Sequence, residues 1–221
     1  MYHYVLSCVV ILLLLHNAFS TMNQKPKWFL IHSLVNLIVT IATSVSAYNA
    51  FLYPINTNTV DITINPSPFP SILVLLLHTY HTLYYKCTSL DYIHHVIMMF
   101  ILGFPLYYGR PEHYELANYC LFFTCGLPGG IDYFMMYLVS IGKLEYMTEK
   151  RWNTRLNTWI RATGIMYGAF ICWQHYLMTG KDFWIHFIST IVLIWNAQFF
   201  SNLVSVAYGF LLCKCKSSVV Q

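Results

Sequence analysis

The stretch "WFLIHSLVNLIVTIATSVSAYNAFLY", residues 28–53, contains no Asp, Glu, Lys or Arg. A helix needs about 20 consecutive apolar residues to cross the hydrocarbon of a bilayer, and this run is longer than that. Six more apolar runs surround it: Tyr2 to Phe19, Ser71 to Tyr85, Tyr92 to Tyr108, Tyr114 to Ile141, Trp159 to Met178 and Phe183 to Cys213. The runs beginning at Ser71 and Tyr92 are short, and Ala18-Phe19-Ser20 resembles a small-residue signal-peptide cleavage site. Of the 221 residues 57% are hydrophobic and 9% charged, with a mean hydropathy of +0.54. A soluble domain carries roughly 25% charged residues. The expected fold is therefore an all-α integral membrane bundle of about seven transmembrane helices.

Charge placement orients that bundle, because Lys and Arg gather in short cytoplasmic loops. With the N-terminus lumenal or outside, Lys25, Lys27, Lys86, Lys143, Lys150, Arg151, Arg155, Arg161, Lys214 and Lys216 fall on the cytoplasmic side, and only Arg110 and Lys181 fall outside. Cleavage after the first run would invert every later loop, so that run is expected to remain as an anchor. The chain then divides into residues 1–27, an anchor with the first cytoplasmic loop, and residues 28–221, a helical membrane domain with a cytoplasmic C-terminus. The formal charge of +4 records this orientation. No clustered basic and aromatic surface accompanies it, so no nucleic-acid partner is expected. The seven cysteines are scattered without a CxxC pair or a disulfide framework. Cys87, Cys213 and Cys215 fall at the expected cytoplasmic edge, where S-palmitoylation and small apolar packing are the two readings. "PINTNTVDITINPSPFP", 54–70, reads as an extended outside connector, and "GKLEYMTEKRWNTRLN", 142–157, as a segment lying at the headgroup surface.

Ionisable groups inside the apolar runs are the candidate site, since a membrane-buried charge is costly unless paired or wet. His78 and His81 share one helix face. In "SLDYIHHVIMMF", 89–100, Asp91 precedes His94 by three residues and His95 by four, which puts both imidazoles within reach of the carboxylate. The same position also suits Asp91 to a helix N-cap. With Asp132, these groups fall within about 10–15 Å of the cytoplasmic boundary at 1.5 Å rise per residue. In "LPGG", 127–130, Pro128 removes a backbone donor and the glycines permit a break or a close approach, so a kink is expected beside Asp132. Gln198 and Asn202, four residues apart, offer further polar lining together with Asn196. His175 and His186 lie towards the outer face as packing or interfacial residues, and His3, His16 and His113 near ends or loops. Three chemistries suit the cluster. In one, Asp91 orients His94 or His95 as a general base or acyl acceptor. In another, "HTYH" followed by "HH" serves as a histidine box for iron or zinc, similar to those of membrane desaturases. In the third, the cluster binds a lipid headgroup without chemistry.

"DYIHHV" at 91–96, "LPGGIDYFMMYLVSIGK" at 127–143 and "FFSNLVSVAYGFLLCK" at 199–214 together resemble the TLC (TRAM, LAG1 and CLN8) superfamily, over roughly residues 71–214. The likeness is to its small TLC-domain members more than to the larger ceramide synthases. In the synthase branch the resemblance implies transfer of a fatty acyl group from acyl-CoA to a sphingoid amine, with His94 and His95 matching the paired histidines of its active site. The branch's later Asp-rich segment is represented only by Asp132. The resemblance thus implies a protein of the endoplasmic reticulum or another endomembrane that binds or handles membrane lipids and influences lipid composition. His94, His95 and Asp91 are the catalytic candidates, and His78, His81, Asp132, Gln198 and Asn202 the cavity or lipid-binding ones. No cofactor and no metal ligand are assigned. The alternative, a ceramide-synthase-like acyltransferase, takes acyl-CoA as co-substrate; a metal-dependent lipid oxidase stands behind both.

Overall fold

Residues 2–53, 66–97 and 111–219 are described by a computed structural model. Among them the chain forms seven helices and no strand. Helix α1 is Tyr2–Ala18, α2 Gln24–Leu52, α3 Phe69–Tyr84 and α4 Ser89–His95. A 3₁₀ turn, Pro111–His113, leads into α5, which runs from 114 to 140 as Tyr114–Leu121, a π-helical turn Phe122–Gly126 and Leu127–Ser140. Helix α6 runs from 146 to 179 as Tyr146–Arg155, a second π-helical turn Leu156–Arg161 and Ala162–Thr179, and α7 is Phe183–Val219. Six of the apolar runs fall on these helices, and the start of the seventh, Tyr92 to Tyr108, falls on α4. Two of them, Gln24–Leu52 and Phe183–Lys214, are long and apolar enough to cross a membrane. The remainder of the run Tyr92 to Tyr108, from 98 onward, and most of the connector 54–70, at 54–65, lie outside the described residues.

The segment 142–157 corrects the expectation of a surface-lying loop. From Tyr146 onward it is the first half of α6, and Glu149, Asn153 and Asn157 on it are buried. Its mixed charges conceal a stripe: 149, 153, 157 and 161 recur every fourth residue and so share one face.

Helix α5 carries the expected irregularity one turn earlier than "LPGG". Pro128 has no N–H to give to the preceding turn, and the π-helical turn Phe122–Gly126 sits directly before it. The glycines allow close approach of α2. A Cβ on Gly129 would stand 2.8 Å from Asn36 Nδ2, and Ser33 Oγ donates to the Gly130 carbonyl at 2.9 Å.

Two apolar clusters result. Cys8 and Leu12 of α1 pack with Trp28, Ile31, Val35 and Val39 of α2 and with Leu73 and Leu77 of α3. Ala47, Tyr119, Phe123, Ile165, Leu193 and Ala197 join the far part of α2 to α5, α6 and α7. Outside them the surface is greasy: Leu37, Ile41 and Phe51 on α2 and Trp184, Ile191, Val206 and Phe210 on α7 are all exposed. Many polar side chains point the other way, with Asn36, Thr43, His186 and Asn196 at 1% exposure or less.

Candidate functional site

The histidine group is assembled from α2, α3 and α4, and the hydrogen bonds fix its proton positions. A carbonyl can only accept, so His78 Nδ1–H donates to Val74 O at 2.8 Å, and Thr82 Oγ1 donates to His78 O at 2.9 Å. With its proton so used, Thr82 Oγ1 accepts from His95 Nδ1–H at 3.2 Å. His95 Nε2 is then a bare acceptor, and His81 Nδ1–H donates to it at 3.4 Å. The result is a directed relay from His81 through His95 to Thr82. The His81 ring stacks on Trp28, centroids 3.9 Å apart and 11° from parallel, and His32 lies against Tyr133 at 3.5 Å. His94 faces His78 on one side (5.8 Å between centroids) and Phe200 of α7 on the other (5.3 Å).

Across Phe200 the site continues as a buried polar ladder along α6. The Arg161 guanidinium covers the other part of that ring at 4.8 Å, and its Nη1 donates to Asn157 Oδ1 at 3.2 Å. Asn157 donates to Asn153, and Asn153 Nδ2 donates to Glu149 Oε1 at 3.1 Å. Lys150 closes the end, its Nζ 3.0 Å from Glu149 Oε2. Asp132 of α5 interacts electrostatically with Glu149, Arg161 and Lys150. Spacing in the sequence was the available signal for this ladder, which the site residues chosen from sequence omit.

His78, His81, His94, His95 and Asp132 are thus brought into one region, and Asp91 is placed beside it in a different role. Thr88 is the N-cap of α4 and Asp91 the third residue after it. Asp91 Oδ2 accepts from Thr88 N and Thr88 Oγ1, both at 2.7 Å, while Asp91 N donates to Thr88 Oγ1 at 3.3 Å. This reciprocal capping box holds the turn from which His94 and His95 project. Asp91→Ala is accordingly expected to cost about 1 kcal/mol of stability. The cost should be the same in a His94→Ala/His95→Ala background, because the carboxylate serves Thr88. Thermal unfolding of the four proteins checks it, and a cost that disappears with the histidines would return Asp91 to orienting them.

Gln198 and Asn202 are not brought into this region. Both are exposed, whereas His186, Ser189, Leu193, Asn196 and Ala197 form the buried stripe of α7. The spacing from 186 through 189 and 193 to 196 follows the helical period, and 198 and 202 fall off that face.

His81, Cys87 and His95 bring three donor atoms within 4.8 Å of one another. Burial, with the Asp91 carboxylate adding to it, pushes the Cys87 thiol above its ordinary range. Comparison with family models, with curated proteins and with solved structures finds no match.

What remains is the set of polar atoms enclosed here without a hydrogen-bond partner among the described residues. His32 Nδ1, His94 Nδ1, Asp132 Oδ1 and Arg161 Nε come from α2, α4, α5 and α6. Leaving one such group unpaired costs about 1–3 kcal/mol, so four around one region call for a polar occupant.

Proposed function

We propose that this chain is a multi-pass membrane protein of the TLC type whose polar interior takes the acceptor-rich polar group of a membrane lipid. The observation that carries the reading is the convergence of His32, His94, Asp132 and Arg161, with unpaired polar atoms, from four helices. The Arg161 guanidinium, set against Phe200, supplies a planar donor suited to a phosphate or carboxylate. The exterior supports the membrane part of the proposal. Exposed Leu, Ile, Val and Phe along α1, α2 and α7 match hydrocarbon, and the hydroxyls of Thr40, Thr43 and Thr82 donate to carbonyls of their own helices, where lipid offers no partner. Read through their π-helical turns, α5 and α6 are also each at least 40 Å long at about 1.5 Å per residue, enough for a bilayer core. An endomembrane location and an effect on lipid composition belong to the same proposal.

One feature favours acyl transfer as a second reading: a proton leaving an attacking amine and taken up at His81 Nε2 can pass from His81 Nδ1–H to His95 Nε2 and rest there as an imidazolium held by Thr82, until the departing CoA thiolate takes it back. Purification of the full chain in mild detergent, with quantitative lipid analysis and an acyl-CoA consumption assay, separates the two. About one polar lipid per chain should be retained by the wild type and by Thr163→Ala, an exposed position on α6. Retention should fall about tenfold or more in Arg161→Gln and His94→Gln. Equal retention in all four proteins sinks the binding site, and acyl-CoA consumption that His95→Gln abolishes selects the acyltransferase.

A further inference from the structure

A second histidine group lies at the other end of the bundle, where the 3₁₀ turn before α5, the end of α6 and the start of α7 meet. His186 stands fourteen residues before Phe200 on α7, about 21 Å along the axis from the first site. One ring nitrogen from each of His113, His175 and His186 falls within 4.8 Å of the other two. His113 and His186 are 2% and 0% exposed. Neither ring nitrogen of His113 makes a hydrogen bond among the described residues, although its Nε2 lies 3.4 Å from Asp182 Oδ2.

From the three histidines we infer a binding site for one divalent transition-metal ion, of zinc type, that clips the three helix ends together. The spacing carries the inference. At a metal–nitrogen distance of 2.0–2.1 Å, neighbouring donors of a tetrahedral ion are about 3.3–3.4 Å apart. His175 Nδ1 and His186 Nε2 are 3.2 Å apart, so one edge of the tetrahedron is already in place, and His113 brings a ring nitrogen within 4.8 Å of both; Asp182 Oδ2, 3.4 Å from His113 Nε2, stands behind that ring as a positioning partner. Three imidazoles form a nitrogen donor set that zinc, cobalt or copper accepts readily, with the fourth position left to water.

Proton placement agrees. The Cys172 thiol donates to the His186 carbonyl at 3.7 Å, which leaves its sulfur to accept from His186 Nδ1–H at 3.3 Å. His186 Nε2 therefore keeps its lone pair, with Cys172 setting the ring's orientation from behind. His175 coordinates through Nδ1 once its proton sits on Nε2, a tautomer change that leaves the ring neutral. Asp182 is held in the left-handed backbone region, φ +56°, and its carbonyl accepts His186 N–H at 3.1 Å.

The test uses full-length protein in detergent, stripped with chelator and titrated with Zn²⁺ and with Co²⁺. Wild type should take up about one equivalent of either ion and unfold at a higher temperature with Zn²⁺ than with chelator. Bound Co²⁺ should show the visible bands of a tetrahedral centre without thiolate-to-metal absorption. His113→Gln should weaken Zn²⁺ binding by about 100-fold or more, Asp182→Asn less, and Cys87→Ala not at all. No uptake and no thermal shift in the wild type would overturn the site. So would thiolate absorption in the cobalt form that Cys87→Ala removes, or loss of uptake in that variant, either of which assigns the metal to His81, Cys87 and His95 instead. The wild-type titration and spectrum decide the matter even where a variant does not fold.

Discussion

Lys150→Met is expected to lower the free energy of unfolding by about 3 kcal/mol, the lower end of what breaking a buried ion pair costs. Glu149 is 1% exposed, and its carboxylate is held by Lys150 Nζ at 3.0 Å and Asn153 Nδ2 at 3.1 Å. The two partners are not equivalent. The lysine side chain is 24% exposed and reaches water from its end of the pair; the glutamate side chain, at 2%, does not. Removing the lysine strands a charge inside the protein, whereas removing the glutamate releases one outward. Glu149→Gln should therefore cost less than Lys150→Met, since its amide oxygen still accepts from Asn153. In the Lys150→Met background Glu149→Gln should recover most of the loss, because the stranded charge is gone. Thermal or denaturant unfolding of the four proteins forms the cycle. A double variant no more stable than Lys150→Met alone would mean that lysine packing, not its charge, was the contribution.

This pair also marks the boundary of what the sequence reveals. Continuous apolar runs such as 28–53 identify helices directly, because a strand-length element cannot use that many apolar residues. The grouping of His78, His81, His94 and His95 is legible for a related reason: helical spacing and orientation put them at one depth. The α6 ladder obeys the same spacing, with Glu149, Asn153, Asn157 and Arg161 every fourth residue, but Tyr146, Trp152, Trp159 and Ile160 on the same stretch are exposed. Polar residues turn inward there and large apolar ones outward, so only the packing of α6 against α5 and α7 decides which face is covered. Gln198 and Asn202 fail in the converse way, sharing a face that turns outward. His113, His175 and His186 are separated by most of α6 and by α5. Their proximity is a property of three chain ends meeting, which no local period encodes. Asp91 was legible as a capping residue, but its partner Thr88, three residues earlier, is what the box required.

Gly164→Leu is expected to destabilise the protein by about 3 kcal/mol through overpacking, and Gly164→Ala by about 1–2 kcal/mol. The site lies where the π-helical turns of α5 and α6 pack against each other. A Cβ on Gly164 would overlap Cδ1 and Cγ of the Phe123 ring. Cγ is the root of the ring, so the clash cannot be relieved by moving a flexible tip; ring and backbone must shift together. The Gly164 carbonyl also accepts the Tyr119 hydroxyl at 2.9 Å, which pins the same turn from its other side. Helix propensity acts in the opposite direction, favouring alanine over glycine by about 1 kcal/mol. It is smaller than the overlap, so overpacking decides the sign. Gly209 on α7, where an added Cβ meets nothing within 4 Å, isolates the propensity effect. Gly209→Ala should raise the unfolding temperature slightly while Gly164→Ala lowers it. Phe123→Leu, which removes the ring, should reverse part of the Gly164→Ala loss. If Gly164→Ala proves as stabilising as Gly209→Ala, helices α5 and α6 do not approach as closely as their glycine contact implies.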